Sequence, residues 1–188
     1  PAEALYCGFA THFVPREQVP GLLDEVGRIA WRAGEEFAQI AAALALRQRD
    51  PGPPPLAARR AAIDRCFAGD TVEAIMAALA GEAAAGGDDA EWAAATRAGL
   101  VGKSPTSLKV TLRQLIVGQG SDIEAALALE YRLTQHMMEG HDFYEGVRAV
   151  LVDKDQQPRW RPATLAAVDE TIVDAYFAPL GADELSFD

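Results

Sequence analysis

The chain has 188 residues, of which 49% are hydrophobic, and its formal net charge is −11. This apolar content excludes a disordered tail, and the acidic balance argues against a nucleic-acid surface or an anionic membrane surface, both of which need basic patches. The two cysteines, Cys7 and Cys66, are too few for a disulfide framework and lack metal-ligand spacing, so we expect a reducing compartment.

The beginning of the chain contains the one segment with a strand-like composition. Residues 6–14 are rich in aromatic and β-branched side chains. A lone strand leaves its backbone donors and acceptors unpaired, and no other segment of the sequence supplies a sheet. We therefore predict that residues 1–15 are a strand and the end of a core that lies mostly elsewhere, and that residues 16–188 are one helical domain.

Helical patterns fill the rest of the chain. Apolar residues recur at helical spacing in residues 22–31 and 37–44, and the proline-rich run 50–55 ends the second of these helices. A further helix is predicted over residues 56–67. Other helices are predicted to follow the capping residues Asp70, Asp88 or Asp89, Ser104, Ser121 and Asp169. The predicted fold is mainly α, with eight or nine helices.

Residues 140–155 combine a helix start with an acidic turn. Asp142 and Glu145 have the spacing of a capping box, in which two side chains satisfy free N–H groups at the start of a helix. An apolar stripe follows, which predicts a helix that is buried on one side. Its members are Phe143, Val147, Val150 and Leu151.

Side chains that typify an active site do not form a pattern in this sequence. His12, His136 and His141 lack metal-ligand spacing, so we interpret all three as structural. The sequence has neither a glycine-rich phosphate loop nor a nucleophile elbow, and its paired carboxylates are typical of solvated faces and caps. We assign no catalytic residue, no metal and no cofactor to the chain.

Four segments, in the same order, resemble the crotonase (enoyl-CoA hydratase/isomerase) superfamily. They are residues 8–14, 104–115, 130–135 and the signature 141–155, which ends in Asp153-Lys154-Asp155. Three features are more similar to the 3-hydroxyisobutyryl-CoA hydrolase branch than to the hydratases: the pair Ala149-Val150, the acidic-lysine-acidic turn, and the length of segment 51–102. The resemblance maps onto roughly the second half of a family member.

The resemblance implies the helical C-terminal portion of an α/β spiral enzyme that acts on acyl-CoA. It favours thioester hydrolysis in valine breakdown, in the cytoplasm or, in a eukaryote, the mitochondrial matrix. A hydratase or isomerase of the same superfamily and a non-catalytic helical assembly module are the alternatives. In the family the oxyanion donors and the catalytic carboxylate belong to the upstream core, so we expect this chain to need that core as a partner and to be inactive alone. A homo-oligomer is left open.

One residue is a candidate for ligand contact. In the resembled superfamily a lysine shortly after the signature helix approaches the adenosine end of CoA, which is part of the substrate rather than a cofactor, and Lys154 matches that lysine. The alternative is that Lys154 pairs with Asp153 and Asp155, or screens the C-terminal end of a helix.

Overall fold

The structure is a computed structural model that describes residues 1–187, and in that range it contains eleven α-helices. They are α1 (Ala2–Tyr6), α2 (Val19–Gly27), α3 (Glu36–Ala45), α4 (Pro55–Ala58), α5 (Arg60–Cys66), α6 (Val72–Ala85), α7 (Ala90–Val101), α8 (Pro105–Val117), α9 (Ile123–Glu139), α10 (His141–Val147) and α11 (Glu170–Phe177). A π-helical turn, Arg148–Val152, continues α10. The prediction of a mainly α chain is confirmed.

The predicted strand over residues 6–14 is wrong. Tyr6 is the last residue of α1, and no strand occurs among residues 1–187. The backbone bonds here are local, from Cys7 N to Glu3 O and from Phe9 N to Ala4 O, both at 2.9 Å. A strand is stable only where a neighbouring strand pairs with it, and within the described chain this segment has no such neighbour.

The chain divides into two compact units, and the boundary between Ile63 and Asp64 falls inside α5. In the first unit α2 packs against α3, and Arg47 pairs with Glu25. This unit buries few of its large apolar side chains: Phe37 is 90% exposed, whereas the buried Ala43 is small.

The second unit contains two apolar clusters. The first joins the end of α5 to α6 and α7, and it consists of Cys66, Ile75, Leu79 and Ala93. The second joins α8, α9 and α11 with the segment before α11, and it consists of Val110, Leu133, Val168 and Val173. All eight side chains are buried, so the second unit has its own hydrophobic core.

Lys109 joins three parts of this unit: α8, α6 and the segment before α11. Lys109, in α8, pairs with Glu73 of α6 at 2.7 Å and donates to the backbone carbonyl of Val168 at 2.8 Å. Because Val168 is almost completely buried, this bond supplies a donor to a carbonyl of a residue in the core.

Helices α6, α7, α8, α9 and α11 begin within one residue of the positions that the predicted caps imply, although the side chain of Asp89 does not cap α7. The single helix predicted over residues 56–67 is wrong, because two helices, α4 and α5, occupy that range. Ser104 and Asp169 cap α8 and α11 as predicted, accepting from Ser107 N and Ile172 N. The predicted caps Asp70 and Ser121 are wrong, because the next residues take their place: Thr71 accepts from Ala74 N, and Asp122 accepts from Ala125 N. Adjacent polar residues compete for a cap, and the residue that adopts the extended backbone geometry makes it.

Candidate functional site

The signature helix does not begin with the predicted capping box. Helix α10 starts at His141 after Gly140, and no side chain caps it. Asp142 instead accepts from the backbone N–H of Arg161 at 2.8 Å and from the Ser104 hydroxyl at 2.6 Å. The prediction is wrong because Asp142 lies inside the first turn rather than before it, and its carboxylate points to a distant segment.

Glu145, the second residue of that predicted box, binds Arg148 and the following segment. Its carboxylate accepts from Nε and Nη2 of Arg148 at 2.9 and 2.8 Å, and from the backbone N–H of Arg159 at 2.7 Å. Glu145 therefore joins α10 to the extended chain that follows the π-helical turn.

The guanidinium of Arg148 binds two further carboxylates. Nη1 donates to Asp153 at 2.6 Å and to Asp155 at 2.7 Å, and Nη2 donates to the Gln157 carbonyl at 3.1 Å. We call Glu145, Arg148, Asp153 and Asp155 the Arg148 cluster. It uses the planar fork of arginine, which offers several donors in fixed directions.

The π-helical turn explains how the two aspartates reach Arg148. The backbone N–H of Asp153 donates to the Arg148 carbonyl at 2.8 Å, an i to i+5 bond that inserts one residue into the helical period. Lys154 and Gln156 then both have φ of +57°, which reverses the chain, and Gln156 N donates to the Ala149 carbonyl at 3.0 Å.

Lys154 is exposed at the tip of this reversal. Both of its neighbours, Asp153 and Asp155, pair with Arg148 instead. Within residues 1–187, no carboxylate forms an ion pair with Lys154. The structure therefore does not show the pairing of Lys154 with its neighbours, whereas the other alternative, that Lys154 screens the C-terminal end of a helix, stays an interpretation.

The pKa values of the cluster follow from these bonds. Hydrogen bonds from Arg148 and then from the Arg159 backbone lower the pKa of Glu145 to about 2. Arg148 likewise lowers the pKa of Asp155, and the bonds to Glu145, Asp155 and Asp153 raise the pKa of Arg148 above its ordinary value. Glu145, Asp155 and the guanidinium of Arg148 therefore stay charged at neutral pH.

Trp160 holds the segment after the turn against the rest of the unit. Its indole N–H donates to the Gly102 carbonyl at 3.1 Å, and its ring lies over Gly146, where an added Cβ would be 3.4 Å from the ring. Both partners are backbone positions of other elements, so the sequence gives no sign of these contacts.

The predicted buried stripe of the signature helix is largely exposed in this chain. Phe143, Val150 and Leu151 are 45%, 50% and 66% exposed, whereas Ala149 is fully buried. The described elements pack on the Ala149 side of the helix and leave this stripe uncovered, so its burial against the expected core partner stays a prediction. Exposed apolar side chains in one patch are typical of a surface that another element covers.

The three histidines contact neighbouring polar groups. Nε2 of His136 donates to the Ala178 carbonyl at 2.9 Å, Nδ1 of His141 lies 3.0 Å from Asp142, and Nδ1 of His12 lies 2.9 Å from the Thr11 hydroxyl.

Among residues 1–187, no three metal-binding side chains converge on one point. Nor is any helix in that range both long and apolar enough to cross a membrane.

Comparison with known proteins decides the family. The family model described as enoyl-CoA hydratase/isomerase matches residues 1–177. The chain belongs to this family. The predicted membership of the crotonase superfamily is confirmed.

Curated relatives of this family member include mitochondrial 3-hydroxyisobutyryl-CoA hydrolases. The protein of Mus musculus is 38% identical over 183 residues, which are 96% of this chain and 46% of the relative. The Homo sapiens protein is 37% identical over 183 residues, with the same coverage. The chain thus spans less than half the length of these relatives.

Solved structures of the family have a similar fold. A carnitinyl-CoA dehydratase from Mycobacterium thermoresistibile superposes with a TM-score of 0.79 at 37% identity, covering 100% of this chain and 49% of that one. An enoyl-CoA hydratase from Rhodobacter sphaeroides 2.4.1 gives 0.79 at 35% identity, covering 100% and 50%.

Proposed function

We propose that the complete protein hydrolyses a CoA thioester of the 3-hydroxyisobutyryl-CoA type, as a step of valine breakdown. The observation that carries this proposal is the 38% identity to a 3-hydroxyisobutyryl-CoA hydrolase over 96% of the chain. The pair Ala149-Val150 and the turn that holds Lys154 add support, because both are more similar to the hydrolase branch than to the hydratases.

The chemistry of the cluster favours an upstream origin for the catalytic groups. Thioester hydrolysis needs donors aimed at the developing oxyanion and a carboxylate that attacks or activates water. The three carboxylates of the Arg148 cluster form ion pairs with Arg148. A group like Glu145, with a pKa of about 2, is a poor base at neutral pH. We therefore propose that the catalytic residues belong to the family's upstream core, and that this core is the partner of the chain.

Lys154 is the residue of this chain that we propose for contact with CoA. CoA carries phosphate groups, which bind cations and N–H donors. The Lys154 ammonium is exposed, and its two acidic neighbours are held by Arg148. An exposed ammonium whose acidic neighbours pair with another cation is suited to bind a phosphate at the nucleotide end of the substrate.

We propose a cellular compartment for the protein from the names of its relatives. The curated relatives are named as mitochondrial proteins. We propose the mitochondrial matrix for a eukaryotic source and the cytoplasm otherwise.

Two assays of the complete protein distinguish hydrolase from hydratase. The first supplies 3-hydroxyisobutyryl-CoA and measures free thiol, and the second supplies an enoyl-CoA and measures the loss of enoyl absorbance. The proposal expects thiol release in the first assay and no comparable turnover in the second. Loss of enoyl absorbance without thiol release would identify a hydratase. Absence of turnover in both assays would favour the non-catalytic helical assembly module.

A further inference from the structure

We propose that Arg148 is a positioning residue, which binds Asp153 and Asp155 so that the ammonium of Lys154 stays available to a phosphate-bearing ligand. This inference rests on the proposed contact between Lys154 and CoA. It adds a residue that does not touch the ligand but determines whether Lys154 can do so.

The geometry shows the competition that Arg148 prevents. Asp153 and Asp155 flank Lys154 directly, at the tip of a turn where the chain reverses. Their carboxylates lie 2.6 and 2.7 Å from Nη1 of Arg148. Without that guanidinium, the two carboxylates would lose their cationic partner beside the Lys154 ammonium, and they would compete with a phosphate for it. Asp155 would keep its hydrogen bond from the Gln157 backbone N–H at 2.9 Å.

The net charge of the turn also supports a positioning role for Arg148. Glu145, Asp153 and Asp155 supply three negative charges, and Arg148 and Lys154 supply two positive charges, so the net charge is −1. Removal of the Arg148 charge makes it −2. An anionic ligand would then meet a more repulsive surface as well as a lysine that is already paired.

Arginine is suited to this role in a way that lysine is not. Arg148 donates through Nε, Nη1 and Nη2 to three carboxylates and to the Gln157 carbonyl at the same time. A lysine ammonium has three donors and no fixed fork, so it cannot reach both Glu145 and the two aspartates in this geometry. The choice of arginine here therefore serves the whole turn rather than a single ion pair.

A double-mutant cycle in the complete protein tests the inference by calorimetric titration with CoA. Lys154→Ala should weaken CoA binding about tenfold or more, the effect of losing a charge-assisted hydrogen bond. Arg148→Gln should weaken it similarly, and the double variant should bind no more weakly than Lys154→Ala alone. Arg97→Gln, which removes the same charge from an exposed position on α7, should leave CoA affinity unchanged.

A rescue variant separates positioning from a merely structural role. Arg148→Gln combined with Asp153→Asn and Asp155→Asn removes the competing carboxylates, so CoA affinity should recover most of the loss. Circular dichroism checks that each variant is folded. If Arg148→Gln does not fold, Arg148→Met, which also removes the charge and keeps an apolar stem, replaces it in the cycle with the same expectation of no further loss beyond Lys154→Ala.

The outcomes distinguish this inference from the proposed CoA contact. Unchanged affinity in Lys154→Ala would reject the contact and the inference together. A tenfold loss in Lys154→Ala would retain the contact; then unchanged binding in the Arg148 variant, additive losses in the double variant, or failure of the asparagine rescue would reject the positioning role alone.

Discussion

The hydroxyl of Ser104 donates a 2.6 Å hydrogen bond to Asp142, and it thereby joins the start of α8 to the first turn of α10. Ser104 and Asp142 belong to two separate segments that carry the family resemblance, and the fold brings these segments together. Ser104 is buried and also accepts from Ser107 N at 3.1 Å, while Asp142 accepts from Arg161 N. One hydroxyl therefore links a helix cap, the signature helix and the segment that follows the Arg148 cluster.

Replacement of Ser104 by alanine should destabilise the protein by about 1–3 kcal/mol, because the helix loses its cap and a nearly buried carboxylate loses a donor. Urea unfolding measures the change. Ser107→Ala is the matched control, since it keeps the backbone N–H that Ser104 accepts, and it should change the free energy of unfolding by no more than about 0.5 kcal/mol. Equal effects of the two substitutions would contradict this role of Ser104.

Local signals in the sequence predicted the elements better than they predicted the contacts between them. The Ser104-Pro105 pair and Asp169 identified helix starts, because a cap depends only on residues within one turn. Ser121 was predicted where Asp122 makes the cap, since two adjacent residues were competent and only the backbone geometry decides between them.

Contacts that depend on tertiary structure could not be read from the sequence. Arg148 was not identified as a candidate, although its partners Asp153 and Asp155 lie within seven residues, because they reach it only through the π-helical turn. The strand over residues 6–14 was predicted from composition, but strand formation requires a paired neighbour that composition does not show.

Lys109→Gln should destabilise the protein by about 1–3 kcal/mol, because the carbonyl of the buried Val168 loses its donor and Glu73 loses its ion-pair partner. Thermal unfolding measures the effect. Lys103→Gln provides the control, since Lys103 is exposed and the same charge is removed. A lower melting temperature for the Lys103 variant than for the Lys109 variant would be inconsistent with the bridging role of Lys109.

The stability of the protein should decrease at acidic pH partly through Glu145. Its pKa is about 2 in the folded protein and 4.5 ordinarily, so its contribution is complete above the ordinary value and disappears as the pH falls toward about 2. Urea midpoints between about pH 6 and pH 2 should therefore fall less steeply for Glu145→Gln than for the unmodified protein.

The control for this pH profile is Glu17→Gln, at an exposed carboxylate in the first unit. Its profile should match that of the unmodified protein. If Glu145→Gln also follows the unmodified profile, the hydrogen bonds of Glu145 do not contribute to the pH dependence of folding.

We propose that the complete protein hydrolyses a CoA thioester with catalytic groups that belong to the family's upstream core. Free thiol release from 3-hydroxyisobutyryl-CoA, measured for the complete protein and for the purified 188-residue chain at equal concentration, tests it most directly. We expect turnover by the complete protein and a rate indistinguishable from the buffer for the chain alone, because loss of the catalytic groups removes the ~8 kcal/mol or more of barrier lowering typical of enzymes. Clear turnover by the isolated chain, or none by the complete protein, would contradict it.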